Sequence, residues 1–325
     1  MDPATEFNVT RWTEESANAQ LPGQSANGIS RNDKQILYAS DRSGSWQPYL
    51  LQIPGGDSTQ LLEIPDLLPS SLRWIVADKE LACLTTEGLS LTTIAKKKPR
   101  MAYRCPSGWR PDGQFVISDD GRLALLGETR NTECRIMQVD LRSGKSRALA
   151  SAKDGALRAI SLHPRYGAIL QPADGPVKVL GGSTPLKAPQ FVAGQVLDAR
   201  FDERGGFLLY LVRTTTPQPR MQLQALDLKT GKSELLANTS QFAGFSMNKN
   251  GSVFVGASAS KAQPFLLLLL RVTRREFALM EHQAKDPQEV RPFFSNDSET
   301  VYFQSDRLGK SCIFSVSVKG LIEKT

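Results

Sequence analysis

Short apolar runs, each introduced by a polar turn, recur along the whole chain of 325 residues. Ile36-Leu37-Tyr38 follows Asn32-Asp33-Lys34-Gln35, and Leu81-Ala82-Cys83 follows Asp78-Lys79-Glu80. Leu123-Ala124-Leu125 follows Asp119-Asp120-Gly121-Arg122, and Ala168-Ile169-Leu170 follows Arg165-Tyr166-Gly167. The series closes with Phe207-Leu208-Leu209 after Arg204-Gly205-Gly206, Val253-Phe254-Val255 after Asn250-Gly251-Ser252, and Val301-Tyr302-Phe303 after Asp297-Ser298-Glu299. The first apolar positions are 36, 81, 123, 168, 207, 253 and 301, so the repeat recurs every 45, 42, 45, 39, 46 and 48 residues. A period of that size fits one four-stranded blade of a β-propeller.

Each unit holds a second apolar strand that ends in its own turn. Val139-Asp140-Leu141-Arg142-Ser143-Gly144-Lys145 and Leu226-Asp227-Leu228-Lys229-Thr230-Gly231-Lys232 are nearly one phrase. Aspartate binds nearby backbone amides and glycine accepts a positive φ, so both predict tight turns between third and fourth strands. Weaker copies stand at Pro54-Gly55-Gly56, Gly181-Gly182 and Lys319-Gly320. Fourth strands are expected at Gln60-Leu61-Leu62, Arg147-Ala148-Leu149, Glu234-Leu235-Leu236 and Phe277-Ala278-Leu279. The longest apolar run, Phe265 to Leu270, is too short for a membrane-spanning helix but suits a strand buried on both faces.

No sustained 3.6-residue periodicity appears. The pattern predicts an all-β chain: a seven-bladed propeller of four-stranded antiparallel blades, filling residues 28–325 as one domain. Residues 1–27 form a separate N-terminal segment, in which Asn8 to Trp12 is the candidate strand closing the ring and 13–27 its linker. The alternative closure uses Leu321-Ile322 as the last strand. The opening Met1-Asp2-Pro3-Ala4-Thr5-Glu6-Phe7 reads as a leader acquired in cloning, which leaves room for a removed secretion signal. Both an exported or bacterial periplasmic location and a cytoplasmic one therefore stay open.

Forty basic against 33 acidic residues give a net charge of +7, which favours an anionic partner. The excess is spread out. Only Lys96-Lys97-Lys98 with Arg100 and Arg104, and Arg271 with Arg274-Arg275, cluster tightly, and a solvated surface accounts for either. They are not interleaved with a nucleic-acid-binding motif, so no nucleic-acid partner is expected. Cys83, Cys105, Cys134 and Cys312 lack metal-binding spacing; buried thiols are expected for most of them, with a disulfide left open. A nucleophile elbow, a phosphate-binding loop and a dinucleotide fingerprint are all absent from the sequence.

The last unit runs Arg291-Pro292-Phe293-Phe294-Ser295-Asn296-Asp297, then Val301-Tyr302-Phe303-Gln304-Ser305-Asp306-Arg307. The first unit repeats its ending as Ala39-Ser40-Asp41-Arg42-Ser43-Gly44. These phrases resemble the TolB-like (WD40-like) repeat. Over most of residues 28–320 the chain also resembles oligogalacturonate lyases, propellers that cleave pectin fragments by β-elimination with a divalent metal. The better-matching parts are the first blade through Tyr49-Leu50-Leu51, Asn250 to Gly256, and Glu281-His282 to Val318.

That resemblance implies a metal held by histidines and a glutamine, with a further histidine or arginine assisting proton abstraction. It places the base position near Asp198, one metal histidine at Gly244, and paired histidines at Glu289 and Arg291. The only histidines, His163 and His282, lie elsewhere. Gln288 is the counterpart of the glutamine, and Asp198, Asp286 and Glu289 are oxygen donors of the kind a hard cation prefers. Asp286, Gln288 and Glu289 are thus weak metal candidates, and Asp198, Arg200 and Arg291 are catalytic candidates. No cofactor is expected, with a divalent cation as the alternative. The long third-blade loop of those enzymes shrinks here to Glu128–Glu133.

Arginine recurs near the expected inner strands as Arg73, Arg110, Arg158, Arg200 and Arg291. A ring of guanidinium forks at the channel mouth would bind carboxylates, with Trp74 and Trp109 offering faces for stacking on a sugar. The competing expectation pairs these arginines with Asp78, Asp112, Asp198, Asp202 or Glu289 to hold the ring together. His163, in a turn before Pro164, and His282, in a loop between blades, carry no functional signal. Three functions follow: a non-catalytic or altered propeller binding an anionic oligosaccharide or a protein or peptide, an active lyase on an acidic sugar, or a TolB-like interaction module.

Overall fold

A computed structural model of the chain describes residues 2, 4–23, 28–75, 77–118, 120–153, 157–163, 167–172, 177–181, 190–202, 206–215, 218–239 and 241–322. The chain is an all-β propeller whose antiparallel sheets follow one another along the sequence. The first sheet is formed by Ala19–Gln20, Gln35–Ser40, Gln47–Gln52 and Ser58–Gln60. The second comprises Arg73–Ile75, Glu80–Thr85, Gly88–Thr93 and Lys98–Arg104. The third comprises Arg110–Ile117, Leu123–Arg130, Glu133–Asp140 and Ser146–Ala152. Three strands, Leu157–His163, Gly167–Pro172 and Lys178–Gly181, make the fourth. The fifth holds Gly194–Phe201, Phe207–Thr214, Met221–Asp227 and Ser233–Thr239, and the sixth Phe242–Met247, Val253–Ser258, Phe265–Leu270 and Arg275–Glu281. In the last sheet, Phe293–Phe294, Thr300–Ser305 and Cys312–Ser317 are completed by Val9–Arg11 from the start of the chain.

Every apolar run that set the repeat is the second strand of its sheet. Among the described residues six sheets have four strands and the fourth has three, which corrects the expectation of seven four-stranded blades. The exception coincides with the shortest repeat, 39 residues. Residues 182–189 lie outside the described ones, as do the turn residues Arg165-Tyr166 and Arg204-Gly205. The linker expected over 13–27 is also corrected, because Ala19–Gln20 pairs with Ser40 and Ala39 as the inner strand of the first sheet. Two residues are too few to show an alternation in the sequence. The expected strand Gln60-Leu61-Leu62 ends at Gln60, and Leu61 and Leu62 turn into the core beside Ile64, Leu67 and Leu72.

Burial explains the architecture. Successive strand residues point to opposite faces, and both faces of these sheets are covered. In the sixth sheet, Val253, Val255, Leu266 and Leu268 pack against Val301, Phe303 and Phe314 of the last sheet. Their alternates Phe254, Leu267 and Leu269 pack against Leu209, Leu211 and Leu223 of the fifth. The first sheet behaves alike: Leu37 and Ala39 face Leu81 and Cys83 of the second, while Ile36 and Tyr38 join Phe293, Tyr302 and Ile313 of the last. That last cluster joins the two ends of the chain. The register there runs Val9↔Val316, Thr10↔Ser315 and Arg11↔Phe314, extended by Trp12 N–H donating to the Ile313 carbonyl at 2.8 Å. The Trp12 indole also donates to Ser315 Oγ at 2.9 Å.

The repeated turn phrases fold alike. Asp140 Oδ1 accepts from the amides of Arg142 and Ser143, and Asp227 Oδ1 from those of Lys229 and Thr230. Gly144 and Gly231 close the two turns at φ 70° and 74°. The inner strand of the sixth sheet carries a register shift between Phe242 and Phe245, which brings Gly244 against Gly256. A Cβ on Gly256 would stand 2.7 Å from the Gly244 carbonyl and from the Phe242 ring. Gly256→Ala is therefore expected to cost about 1–3 kcal/mol, read in urea titration as a lower midpoint with an unchanged slope.

Candidate functional site

The strands fix where each candidate stands. In the third sheet, Arg110 opens the inner strand opposite Thr129, beside the turn joining the second and third strands. Arg158 holds the same kind of position, opposite Gln171 at the far end of its partner strand; its side chain lies outside the described residues. Arg291 stands two residues ahead of its inner strand, before Pro292, in a left-handed conformation with φ 47°. Arg200, however, pairs with Leu209 near the turn joining first and second strands, at the opposite end of its sheet. Arg73, opposite Ala82, lies between these extremes. The expected single ring at one mouth is thus corrected: these arginines are distributed along the inner strands. A pattern based on residue type could not see which way each strand ran past its turn.

Three of the five are committed to neighbours. Arg73 Nη2 donates to the Phe115 carbonyl of the next inner strand at 2.9 Å, with its Cζ 5.1 Å from that ring's centroid. Burial pushes its guanidinium down to about 10. Arg200 Nε lies 3.6 Å from Asp198 Oδ2, with side-chain exposures of 16% and 4%. The same carboxylate oxygen accepts from Phe245 N–H at 3.1 Å and so pins the bulge of the adjacent sheet. Burial raises the Asp198 carboxyl, opposed by Arg200 and the amide, and burial lowers the Arg200 guanidinium, opposed by Asp198. Arg291 Nη1 donates to the Leu21 carbonyl at 2.8 Å, and its Nη2 reaches Glu289 at 2.5 Å, tying the last sheet to the first. Arg110 remains exposed, with no ion pair to any described residue.

Two of the expected structural pairs are present, Arg200–Asp198 and Arg291–Glu289. The remaining acids serve backbone amides: Asp78 accepts from Arg31, Asp112 from Gln114 and Asp202 from Phe207. Trp74 donates its indole N–H to the Gly28 carbonyl at 3.2 Å and packs in the core between the first two sheets.

A cluster the sequence reading did not assemble surrounds Trp109. Arg135 lies 3.8 Å and Arg130 4.7 Å from the indole ring. Arg135 also donates from Nε to Glu128 Oε2 at 2.7 Å, and Tyr103 Oη donates to Glu128 Oε1 at 2.8 Å. Glu128 is fully buried, and the Tyr103 hydroxyl is raised by burial and by its bond to this carboxylate. Arg130 pairs with Glu133 at 2.5 Å. The cause is one tight hairpin. Arg130↔Glu133 and Glu128↔Arg135 are cross-strand partners around a turn at Asn131-Thr132, where Asn131 has φ 51°. Counting outward from that turn gives both charge pairs, a signal present in the sequence. This third-sheet hairpin therefore presents a guanidinium-flanked indole at the end carrying Arg110.

The histidines are structural in their contacts. His282 is buried, with Nε2 3.1 Å from the Ser258 carbonyl and Nδ1 accepting from Ala284 N–H at 3.0 Å; burial lowers its pKa. His163 ends a strand rather than sitting in a turn, its ring 4.6 Å from that of Phe201. Asp286 caps the 3₁₀ helix Pro287–Val290 by accepting from Gln288 N–H, and Gln288 and Glu289 are exposed on that helix. No three His, Cys, Asp or Glu side chains come together as a metal-holding group among the described residues. Asp198 is bonded to Phe245 and Arg200, and Glu289 to Arg291. The four cysteines are free thiols.

The β-propeller class is shared with structures of known function. A manganese complex of oligogalacturonate lyase superposes with a TM-score of 0.81 at 20% identity, covering 98% of this chain and 94% of that one. The oligogalacturonate lyase of Vibrio parahaemolyticus gives 0.80 at 16% identity, covering 98% and 95%. TolB from Acinetobacter baumannii gives 0.51 at 13%, covering 88% of this chain and 64% of that one. No protein-family model and no curated protein sequence matches the chain.

Removing one partner of the Asp198–Arg200 pair is expected to cost about 3–5 kcal/mol at neutral pH. In Arg200→Leu, Asp198 is left buried with a still higher pKa. The native state then holds its proton while the unfolded chain releases it above about pH 3.9. Because burial already raises Asp198 in the wild type, both proteins lose stability alike just above that pH. The deficit relative to wild type should open only once pH passes the wild-type carboxyl's own raised pKa, in denaturant melts from pH 3 to 7.

Proposed function

We propose that this chain is a propeller of the oligogalacturonate lyase type whose lyase chemistry is altered or lost, and which binds an anionic oligosaccharide. Binding takes place at the end of the ring that carries Trp109 and Arg110. The observation carrying this reading is the fold likeness to two such lyases over nearly the whole of both chains, joined to the engagement in inter-sheet contacts of residues to which the sequence resemblance assigns the base and metal positions. Asp198, Glu289 and Arg291 are engaged in holding sheets together, and Gly244 is packed against Gly256. β-Elimination needs stabilisation of the charge that develops beside the uronate carboxylate. The three inner-strand arginines engaged with neighbours would have to leave those partners to supply it. Arg110 would not, and its guanidinium matches a uronate carboxylate.

The three-stranded fourth sheet is read as a seventh blade. Support comes from its core, where Leu162 and Ala168 pack with Leu125 and Ile136 of the third sheet and Ile169 packs with Val196 and Leu208 of the fifth. The division into a closing N-terminal segment and one propeller domain belongs to the same reading, with the boundary moved ahead of Ala19.

Purified protein mixed with trigalacturonate and Mn²⁺ is expected to produce no unsaturated-uronate absorbance. Calorimetry should nevertheless detect binding, weakened about tenfold or more in Arg110→Glu. Absorbance growing with time would establish the active-lyase alternative instead. Absence of any uronate affinity, with a protein partner retained in pull-down, would establish the interaction-module alternative.

A further inference from the structure

Antiparallel connectivity places the turn between third and fourth strands at the same end of each sheet as the turn between first and second. Successive inner strands lie side by side around the ring, so these turns gather on one end of the propeller, opposite the Trp109 end. The outer rim of this end is cationic. The sixth sheet contributes Arg271, Arg274 and Arg275 on a single turn, and the second contributes Lys96, Lys97 and Lys98. The turns of the third and fifth sheets add Arg142 with Lys145, and Lys229 with Lys232. All ten are exposed, and none has an ion pair within 4.0 Å to any described residue. Within the four cationic turns the acids are Asp140 and Asp227, each accepting from two amides of its own turn. The first-to-second strand turns at this end, nearer the axis, carry Asp33, Asp78, Asp120, Asp202 and Asp297, so the cationic excess belongs to the outer rim.

A second observation selects the partner. Val272, at the tip of the arginine turn, is 89% exposed, and Phe207, at the same end of the adjacent fifth sheet, is 44% exposed. A soluble polyanion has no use for an apolar side chain projecting between three arginines. An anionic bilayer does: cations meet headgroup phosphates while the apolar tip enters the interface. We propose that this end of the propeller is a peripheral docking face for membranes rich in anionic phospholipid. The assignment is independent of sugar binding at the other end.

The test is co-sedimentation of the full chain with phosphatidylcholine vesicles, with and without phosphatidylserine, in low and high salt. Binding is expected only with phosphatidylserine and should weaken as salt screens the charges. Each cation removed should lower partitioning by about fivefold, so Lys96→Glu/Lys97→Glu/Lys98→Glu and Arg271→Glu/Arg274→Glu/Arg275→Glu should each nearly abolish it. Val272→Asp should weaken it with the arginines intact. Circular dichroism checks that these turn variants stay folded. No sedimentation with phosphatidylserine, or sedimentation indifferent to the charge reversals or to Val272→Asp, would overturn the proposal. Binding of polygalacturonate but not vesicles through these turns would assign them to a polysaccharide instead. Arg110→Glu should leave vesicle binding unchanged, which separates this result from the fate of the sugar-binding reading.

Discussion

Two-sided burial of the strands is the constraint on which the structure depends. Leu266 and Leu268 face one neighbour while Leu267 and Leu269 face the other. No sheet with that pattern can stand at the edge of an open stack without exposing a row of leucine or phenylalanine. Removing the edges is the only arrangement that covers every face, and a ring does so. Ile36 and Tyr38 of the first sheet therefore end up against Phe293 and Ile313 of the last.

The same constraint accounts for the inner arginines. Where sheets converge on the axis, backbone carbonyls and a bulged amide at Phe245 need partners in a region of restricted water. Arg73 serves the Phe115 carbonyl, Arg291 the Leu21 carbonyl, and Asp198 the Phe245 amide with Arg200 beside it. Each of these contacts runs between two sheets, so the polar groups lining the centre are part of the ring's cohesion. Arg110 stands outside this bonding and remains exposed.

What could be read in advance was local. The second strand of every sheet announced itself, because a turn signal stands immediately before an apolar run, and the Asp140 and Asp227 turns followed from residue type alone. Ala19–Gln20 escaped because its pairing is defined by Ser40 and Ala39 rather than by its own pattern. The arginines were recognised as a set but not as sitting at different heights, since height depends on strand length beyond each turn. Trp109 was singled out as a stacking face, whereas Arg130 and Arg135 already lie over its ring. That arrangement was recoverable from the short Asn131-Thr132 hairpin by counting cross-strand partners.

The pairing of Val9–Arg11 with Cys312–Ser317 has a kinetic corollary. Trp12 and Ser315 are separated by 303 positions, so their encounter closes nearly the longest loop the chain can offer, and its entropic cost arrives in one step. Sheets built from sequence-local hairpins can form early, as contact order dictates. Until the ends meet, the growing assembly is an open arc with an unpaired strand at its rim, the species most exposed to pairing with another copy of itself.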